Sequence, residues 1–153
     1  MIKHYTVCVI VRDGRILLGR KKRGFGEGLW NGFGGKLTPG ETPEQAAVRE
    51  THEESGVLVT DLRKRGVLTF TIIGNPELME VHFFSTSEFA GEPVETEEMA
   101  PRWFDLDAVP YETMFPDDRH WLPLLLAGKD FGGSALYKDA VTMISHDIHE
   151  AHS

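Results

Sequence analysis

Three glutamates in this sequence have the spacing that brings carboxylates together on a helix. Glu50, Glu53 and Glu54 stand at positions i, i+3 and i+4, and residues so spaced share one face of an α-helix. A cation that prefers oxygen ligands, Mg²⁺ or in its place Mn²⁺, would relieve the repulsion among them, and Mg²⁺ in proteins commonly binds substrate phosphates as well. The spacing therefore indicates pyrophosphate chemistry at a metal site. Taken alone, however, the three glutamates fit a solvated acidic face paired with Arg49 better.

The segment before these glutamates favours the metal site. Seven glycines crowd the stretch from Gly24 to Gly40, which predicts a long shaped loop of the kind that carries function more often than packing. Thr42 and Gln45 have the spacing of a capping box at a helix start. We expect this helix to run to about Ser55 and to end at Gly56.

The stretch from Gly35 to Val57 resembles the Nudix box, G-x5-E-x7-R-E-U-x-E-E-x-G-U, in which U is a bulky apolar residue. The fixed polar and glycine positions of that motif all match, at Gly35, Glu41, Arg49, Glu50, Glu53, Glu54 and Gly56. Thr51 occupies the first U position, and threonine is β-branched and nearly isosteric with valine. A match at this many fixed positions is a specific signal.

The resemblance implies a fold and a set of roles. The fold would be of the α/β (α+β) class, an α/β/α sandwich in which a mixed β-sheet has the box helix on one face. Glu50, Glu53 and Glu54 would bind the metal, and one of them would also orient or activate the attacking water. Arg49 would form a salt bridge to a catalytic glutamate and aim it. The backbone carbonyl of Gly34 would be offered to the metal.

A closer resemblance links most of the chain to the animal members of this family that hydrolyse oxidised purine nucleoside triphosphates. The matching segments are Lys22–Gly26, Trp30–Lys36, Pro76–Met79 and Phe115–Asp118, followed by Trp121. By this resemblance Glu98 lies near the metal. The residues expected to bind substrate are Thr6, Lys21, Phe25, Asn31, Phe33, Gly34, Gly35, Lys36, Phe70, Met79, Phe115, Pro116, Asp117, Asp118 and Trp121. Phe115 and Ile72 depart from the animal members, which carry Trp and Phe there.

Three polar residues could read a purine. The amide of Asn31 offers an acceptor and two donors, enough for a bidentate contact with a purine edge. Asp117 and Asp118 are adjacent carboxyl groups, and burial with mutual repulsion would raise the pKa of the pair so that one carboxyl keeps a proton. A group that can donate or accept would suit more than one base. An equally weighted alternative is that this pair caps the helix that follows, and one aspartate could do each.

The remaining pattern predicts the elements that position these residues. Strands are expected over Tyr5–Val11, Arg15–Gly19, Val57–Val59, Arg65–Ile73, Glu80–Thr86, Arg102–Asp105, Phe131–Tyr137 and Val141–Ile148. A hairpin turn is expected at Asp13-Gly14, and a second helix over Asp118–Ala127. A polar, frayed tail explains His146, His149 and His152 better than a zinc site does.

Composition narrows the function further. The 153 residues carry a net charge of −8, which argues against binding to nucleic acid polymers or anionic membranes. The apolar stretches are too short to span a membrane, and the N-terminus does not read as a signal peptide. The single cysteine, Cys8, lies in an apolar run. We therefore expect one domain over residues 1–153 that is cytoplasmic and monomeric.

With these features, the resemblance implies Mg²⁺-dependent hydrolysis of oxidised purine nucleoside triphosphates, such as 8-oxo-dGTP and 2-hydroxy-dATP, to the monophosphate and pyrophosphate. The main alternative is a housecleaning pyrophosphatase for other nucleotides, such as unmodified dGTP or methylated purine nucleotides. A catalytically silent nucleotide-binding module is disfavoured because the box is complete. Hydrolysis of RNA caps would require a basic track that this net charge does not provide.

Overall fold

The fold is a mixed β-sheet between two helices, as a computed structural model describes it for residues 1–151. The strands are β1 Ile2–Arg12, β2 Arg15–Lys21, β3 Trp30–Asn31, β4 Phe33–Lys36, β5 Leu58–Thr60, β6 Arg63–Ile72, β7 Leu78–Thr86, β8 Glu88–Ala90, β9 Met99–Asp105, β10 Phe131–Asp139 and β11 Thr142–Glu150. The helices are α1 Pro43–Ser55 and α2 Asp118–Leu126, with two 3-10 turns at Leu106–Ala108 and Tyr111–Thr113. The predicted α/β/α sandwich is confirmed.

The main sheet has the strand order β11-β10-β6-β7-β1-β2-β3. Two pairs in this order, β1 with β7 and β10 with β6, are parallel, and the other pairs are antiparallel. β4 also pairs with β1, and β9 pairs with β2. The pairing of β4 with β1 holds the glycine-rich segment against the centre of the sheet.

The central strand β1 faces two cores because alternate side chains point to opposite faces. Val9 packs with Trp121 and Leu122 of α2 in one buried cluster. Cys8 and Ile10 lie on the opposite face, in the cluster under α1. The two helices therefore cover opposite faces of the sheet. Burial in the cluster under α1 raises the pKa of the Cys8 thiol to about 12.

Local signals in the sequence position α1 and the first hairpin. The Thr42 side chain accepts from the Gln45 N–H at 3.1 Å, the Gln45 side chain accepts from the Thr42 N–H at 2.9 Å, and Gly56 is left-handed with φ 77°. Asp13 and Gly14 both have positive φ, as a type I′ turn requires. The predicted helix and hairpin are confirmed.

Two predictions for irregular segments were wrong. The stretch from Gly24 to Gly40 is not a continuous loop, because it contains β3 and β4; glycine-rich sequence has low strand propensity and concealed them. His146 and His149 are not in a frayed tail but on β11, which pairs with β10, while His152 lies outside the described residues. Among residues 1–151, no helix has the length and apolarity needed to cross a membrane.

Candidate active site

The carboxylates of α1 are organised around one guanidinium group. Arg49 forms a two-point ion pair with Glu41, with Nε 2.7 Å from Oε2 and Nη2 2.9 Å from Oε1. Its Nη1 donates to Glu50 Oε1 at 2.8 Å and to Glu53 Oε2 at 3.2 Å. The Arg49 guanidinium lowers the pKa of Glu41 to about 2. Arg49 therefore orients the carboxylates of Glu50 and Glu53, and its ion pair with Glu41 links them to the segment between β4 and α1.

Glu54 is the most buried of the three box glutamates, with 9% of its surface exposed. Its Oε1 accepts a hydrogen bond from the backbone N–H of Gly34 at 2.8 Å. Burial is the main cause that raises the pKa of Glu54 to about 8, and the neighbouring carboxylates of Glu50 and Glu98 add to the effect. Burial likewise raises the pKa of Glu50. The site thus concentrates negative charge in a poorly solvated position.

Two glycines of β4 allow it to approach β1 and Glu50 closely. A Cβ at Gly34 would lie 1.8 Å from the carbonyl oxygen of Thr6, because β4 approaches β1 closely there. A Cβ at Gly35 would lie 2.7 Å from the carboxyl carbon of Glu50. Neither position can hold a side chain without moving β1 or Glu50, so both glycines are required by the geometry of the site.

The residues present fit a divalent cation. Glu50, Glu53 and Glu54 supply only oxygen donors, the type that Mg²⁺ and Mn²⁺ prefer. Burial and like charge oppose the ionised form of Glu54, and a cation would offset both effects. Glu98 is close enough to Glu54 to raise its pKa, but its carboxylate pairs with Arg23, whose Nε donates to Glu98 Oε1 at 3.1 Å.

A cavity of about 450 Å³ extends from Glu54 to the aspartate pair at the start of α2. Most of its lining is apolar, with polar groups at particular points. The lining residues predicted from the sequence are Thr6, Lys21, Phe25, Asn31, Gly34, Gly35, Glu54, Phe70, Ile72, Met79, Phe115, Asp117, Asp118 and Trp121. A largely apolar pocket with a few convergent polar groups is the usual form of a small-molecule site.

The carboxyl pair in the cavity is braced from two elements. The Trp121 Nε1–H donates to Asp117 Oδ2 at 2.8 Å, and the Tyr137 hydroxyl of β10 donates to Asp117 Oδ1. Burial raises the pKa of Asp117, and burial together with the adjacent Asp117 raises the pKa of Asp118 well above its usual range. Both Asp117 oxygens therefore accept hydrogen bonds from fixed donors, while burial and the adjacent carboxyl group favour the neutral form of Asp118.

This arrangement corrects the helix-capping alternative. Asp117 stands at the N-cap position of α2, yet within residues 1–151 its side chain makes no capping hydrogen bond. Its two oxygens instead accept from Trp121 and Tyr137, and both aspartates are 5% exposed.

Aromatic rings line one side of the cavity. Phe115 stacks on Phe25 with ring centroids 5.8 Å apart and planes 18° from parallel. A Cβ at Gly26 would lie 2.5 Å from the Phe115 ring, so Gly26 leaves the space that Phe115 occupies. The Nδ2–H of Asn31 donates to the Leu29 carbonyl at 3.2 Å, which orients the amide while its remaining donor and acceptor can serve a ligand.

Three residues predicted to bind substrate lie outside the cavity. The Phe33 side chain is fully buried in the cluster under α1, so it packs in the core and does not line the cavity as predicted. Lys36 is exposed, and its carbonyl accepts from Arg49 Nη2 at 3.3 Å. Pro116 is half-buried and precedes the aspartate pair.

The sequence prediction also missed part of the lining. These residues are Tyr5, Val7, Gly32, Asn75, Val81, Phe83, Met99 and Tyr137. Strand alternation is the signal that could have found some of them. Tyr5 and Val7 point to the same face of β1, and Val81 and Phe83 point to the same face of β7.

The fold and the carboxylate cluster define a family. Residues 2–125 match the NUDIX domain, and the chain belongs to that family and is a Nudix hydrolase. It is 49% identical to the oxidized purine nucleoside triphosphate hydrolase of Mus musculus over 97% of this chain and 96% of that protein. The enzyme of the same name from Danio rerio is also 49% identical, over 97% of this chain and 95% of that protein.

Solved structures support the same assignment. The crystal structure of a mutator MutT protein from Bacillus halodurans has a TM-score of 0.82 and 25% identity, over 95% of this chain and 97% of that one. Nudix hydrolases generally depend on a divalent metal, in agreement with the oxygen donors of Glu50, Glu53 and Glu54.

The raised pKa of Glu54 predicts a pH dependence of stability in the metal-free protein. Between its ordinary value of 4.5 and about 8, the folded protein binds more protons at Glu54 than the unfolded chain does, so the free energy of unfolding falls as pH rises. In the presence of a chelator, we expect the free energy of unfolding of wild type to fall relative to that of Glu54→Gln as the pH rises from about 5 to about 9. The expected fall is on the order of several kcal/mol. Urea midpoints of both proteins across this range measure the difference, and parallel curves would contradict the prediction.

Proposed function

We propose that this protein hydrolyses oxidised purine nucleoside triphosphates, including 8-oxo-dGTP and 2-hydroxy-dATP, to the monophosphate and pyrophosphate with Mg²⁺ as cofactor. The observation that carries the proposal is the continuity of one cavity from Glu54 and Gly34 to Asp117 and Asp118. A nucleotide in that cavity would place its phosphates at the carboxylates and its base at the aspartates. The names of the mouse and zebrafish relatives support the same substrate class.

The reaction breaks the anhydride bond between the α- and β-phosphates as water oxygen forms a new bond to phosphorus. Glu50, Glu53 and Glu54 would hold Mg²⁺, which when bound would neutralise the charge that develops on the phosphates. One of these glutamates orients or activates the water, and Arg49 holds Glu50 and Glu53 in position. Glu98 and the Gly34 carbonyl are further candidate ligands. Lys21 lines the cavity beside Glu54 and supplies positive charge to the phosphates.

Base recognition depends on which carboxyl group of the Asp117–Asp118 pair carries the proton. Asp118 keeps a proton and can donate it to a carbonyl oxygen of the base, or accept when another tautomer is bound. Asp117 cannot change role as easily, because both of its oxygens already accept hydrogen bonds. The half-buried amide of Asn31 lines the same cavity.

Substitutions at the two aspartates should therefore differ. Asp118→Asn retains a donor but cannot exchange a proton, so we expect the ratio of kcat/KM for 8-oxo-dGTP to that for 2-hydroxy-dATP to change with little loss of stability. Asp117→Asn places an NH₂ group against either the Trp121 N–H, which cannot accept, or the Tyr137 hydroxyl, which already accepts from the Asp117 backbone N–H. The substitution should therefore cost about 1–3 kcal/mol of unfolding free energy. Kinetics on both nucleotides and urea denaturation measure the two effects. An unchanged ratio for Asp118→Asn would limit the pair to a structural role.

Steady-state turnover of 8-oxo-dGTP against dGTP, with Mg²⁺ and with pyrophosphate measured as product, tests the proposal. A clear preference for the oxidised nucleotide is expected. Equal or better turnover of dGTP or of methylated purine nucleotides would favour the alternative housecleaning activity. Phe115 and Ile72 offer a base less aromatic surface than the Trp and Phe that the animal members of the family carry there. The comparison of 8-oxo-dGTP with dGTP therefore also tests whether the oxidised base is still preferred with this smaller surface.

The remaining parts of the proposal concern context. We infer that residues 1–153 act as a single, monomeric domain in the cytoplasm, on free nucleotides rather than on nucleic acid or membranes. The net charge of −8 supports this choice of substrate. Size-exclusion chromatography with light scattering, and turnover of free nucleotide compared with RNA caps, test these points.

A further inference from the structure

A second group of potential ligands lies outside the cavity, where β1 and β7 run parallel. His4 of β1 is in register with Glu80 of β7, and Thr6 is in register with His82. One ligand atom from each of His4, Glu80 and His82 lies within 4.8 Å of the other two. None of the three residues belongs to the Nudix box or lines the cavity.

The distances are close to those of a metal site. Glu80 Oε1 is 3.8 Å from His4 Nδ1 and 3.3 Å from His82 Nε2. Ligand atoms bound about 2.0–2.1 Å from tetrahedral Zn²⁺ are separated by roughly 3.3 Å. Small side-chain rotations would close the set around one ion.

His82 gives independent support. It is 9% exposed, and among the residues that the structure describes neither ring nitrogen has a hydrogen-bond partner. Its Nε2 lies near Glu80 Oε1 but without hydrogen-bond geometry. A buried polar group without a partner costs stability, and a bound cation would supply the missing interaction.

We propose that His4, Glu80 and His82 form a binding site for a divalent transition metal of the Zn²⁺ class, with solvent completing the coordination. Two imidazoles and one carboxylate suit Zn²⁺ and its neighbours, whereas the all-oxygen set on α1 suits Mg²⁺. His4 is half-exposed, which gives an ion access from solvent.

The ion would join β1 to β7 close to the first residues of the Nudix box. The His4 carbonyl accepts a hydrogen bond from the Leu37 N–H at 3.0 Å, and Leu37 follows Gly35 within the Nudix box. A ligand that binds only the folded state raises its stability, so we expect Zn²⁺ to raise the Tm.

Calorimetric titration with Zn²⁺ in excess Mg²⁺ tests the site, because Mg²⁺ occupies the carboxylates of α1. Repeating the titration with Glu54→Gln separates the two sites, since the proposed one should be unaffected. We expect one Zn²⁺ per chain, a rise in Tm, and at least about tenfold weaker binding for His4→Leu and Glu80→Gln, because even outer-sphere substitutions weaken sites about 10- to 100-fold. Tm measured in chelator confirms that each variant folds.

His149→Leu is the matched control, since His149 is exposed on β11, away from the proposed ligands, and should leave Zn²⁺ binding unchanged. Absence of Zn²⁺ binding in excess Mg²⁺, or equal binding by wild type and His4→Leu, would overturn the proposal. So would a loss of binding in His149→Leu as large as that in His4→Leu. Because every readout is binding or stability, the result does not depend on which nucleotide is hydrolysed.

Discussion

Glu54→Gln is expected to lower kcat by at least about 10²-fold, because it removes a negative charge from the carboxylates proposed to hold the metal that stabilises the transition state. The fold should survive. Glutamine keeps an oxygen that can accept the Gly34 N–H, which donates to Glu54 Oε1 at 2.8 Å. The experiment measures kcat at saturating Mg²⁺ together with Tm.

Glu44→Gln provides the control for this variant. It is the same chemical change on the same helix, at an exposed position in the first turn of α1. Turnover should be close to that of wild type. If Glu54→Gln also retained near-normal turnover, the carboxylate cluster of α1 would not be the catalytic centre.

Phe115→Ala is expected to raise KM for purine nucleotides while kcat changes little. Phe115 lines the cavity and stacks on Phe25. Stacking of a base on an aromatic side chain is worth about 1–3 kcal/mol, which corresponds to roughly 5- to 150-fold in affinity. KM and kcat for 8-oxo-dGTP and dGTP, measured beside Tm, report the effect.

Phe89→Ala separates stacking on substrate from simple loss of packing. Phe89 is a half-buried phenylalanine of β8 that packs on Trp103, in the cluster under α1, so its truncation should lower Tm without raising KM. A lower Tm with unchanged KM in Phe115→Ala as well would show that Phe115 belongs to the core and not to the base pocket.

Local sequence was enough to predict the element that carries the chemistry. The ends of α1 follow from Thr42, Gln45 and Gly56, each of which acts on backbone within a few residues. The shared face of Glu50 and Glu54 follows from helical periodicity. These signals are short-range, so the sequence contains them directly.

The cavity could be predicted only in part because its walls meet through long-range pairing. Tyr137 is 20 residues from Asp117, and their contact depends on the position of β10 beside β6. Phe33 shows the converse, since it neighbours residues of the cavity in sequence but points to the opposite face of the sheet. The His4–Glu80 register is likewise a property of the parallel β1–β7 pair, for which the sequence has no local signal.

The brace on Asp117 has a consequence for how such an enzyme can diversify. Tyr137 lies in β10, beyond residues 2–125 that match the shared domain. Mutations in the β10–β11 hairpin can change which carboxyl group of the aspartate pair keeps the proton, without changing any residue of α1. On the proposed base recognition, substitutions at Tyr137 would change which base is accepted while the carboxylates of α1 stay unchanged.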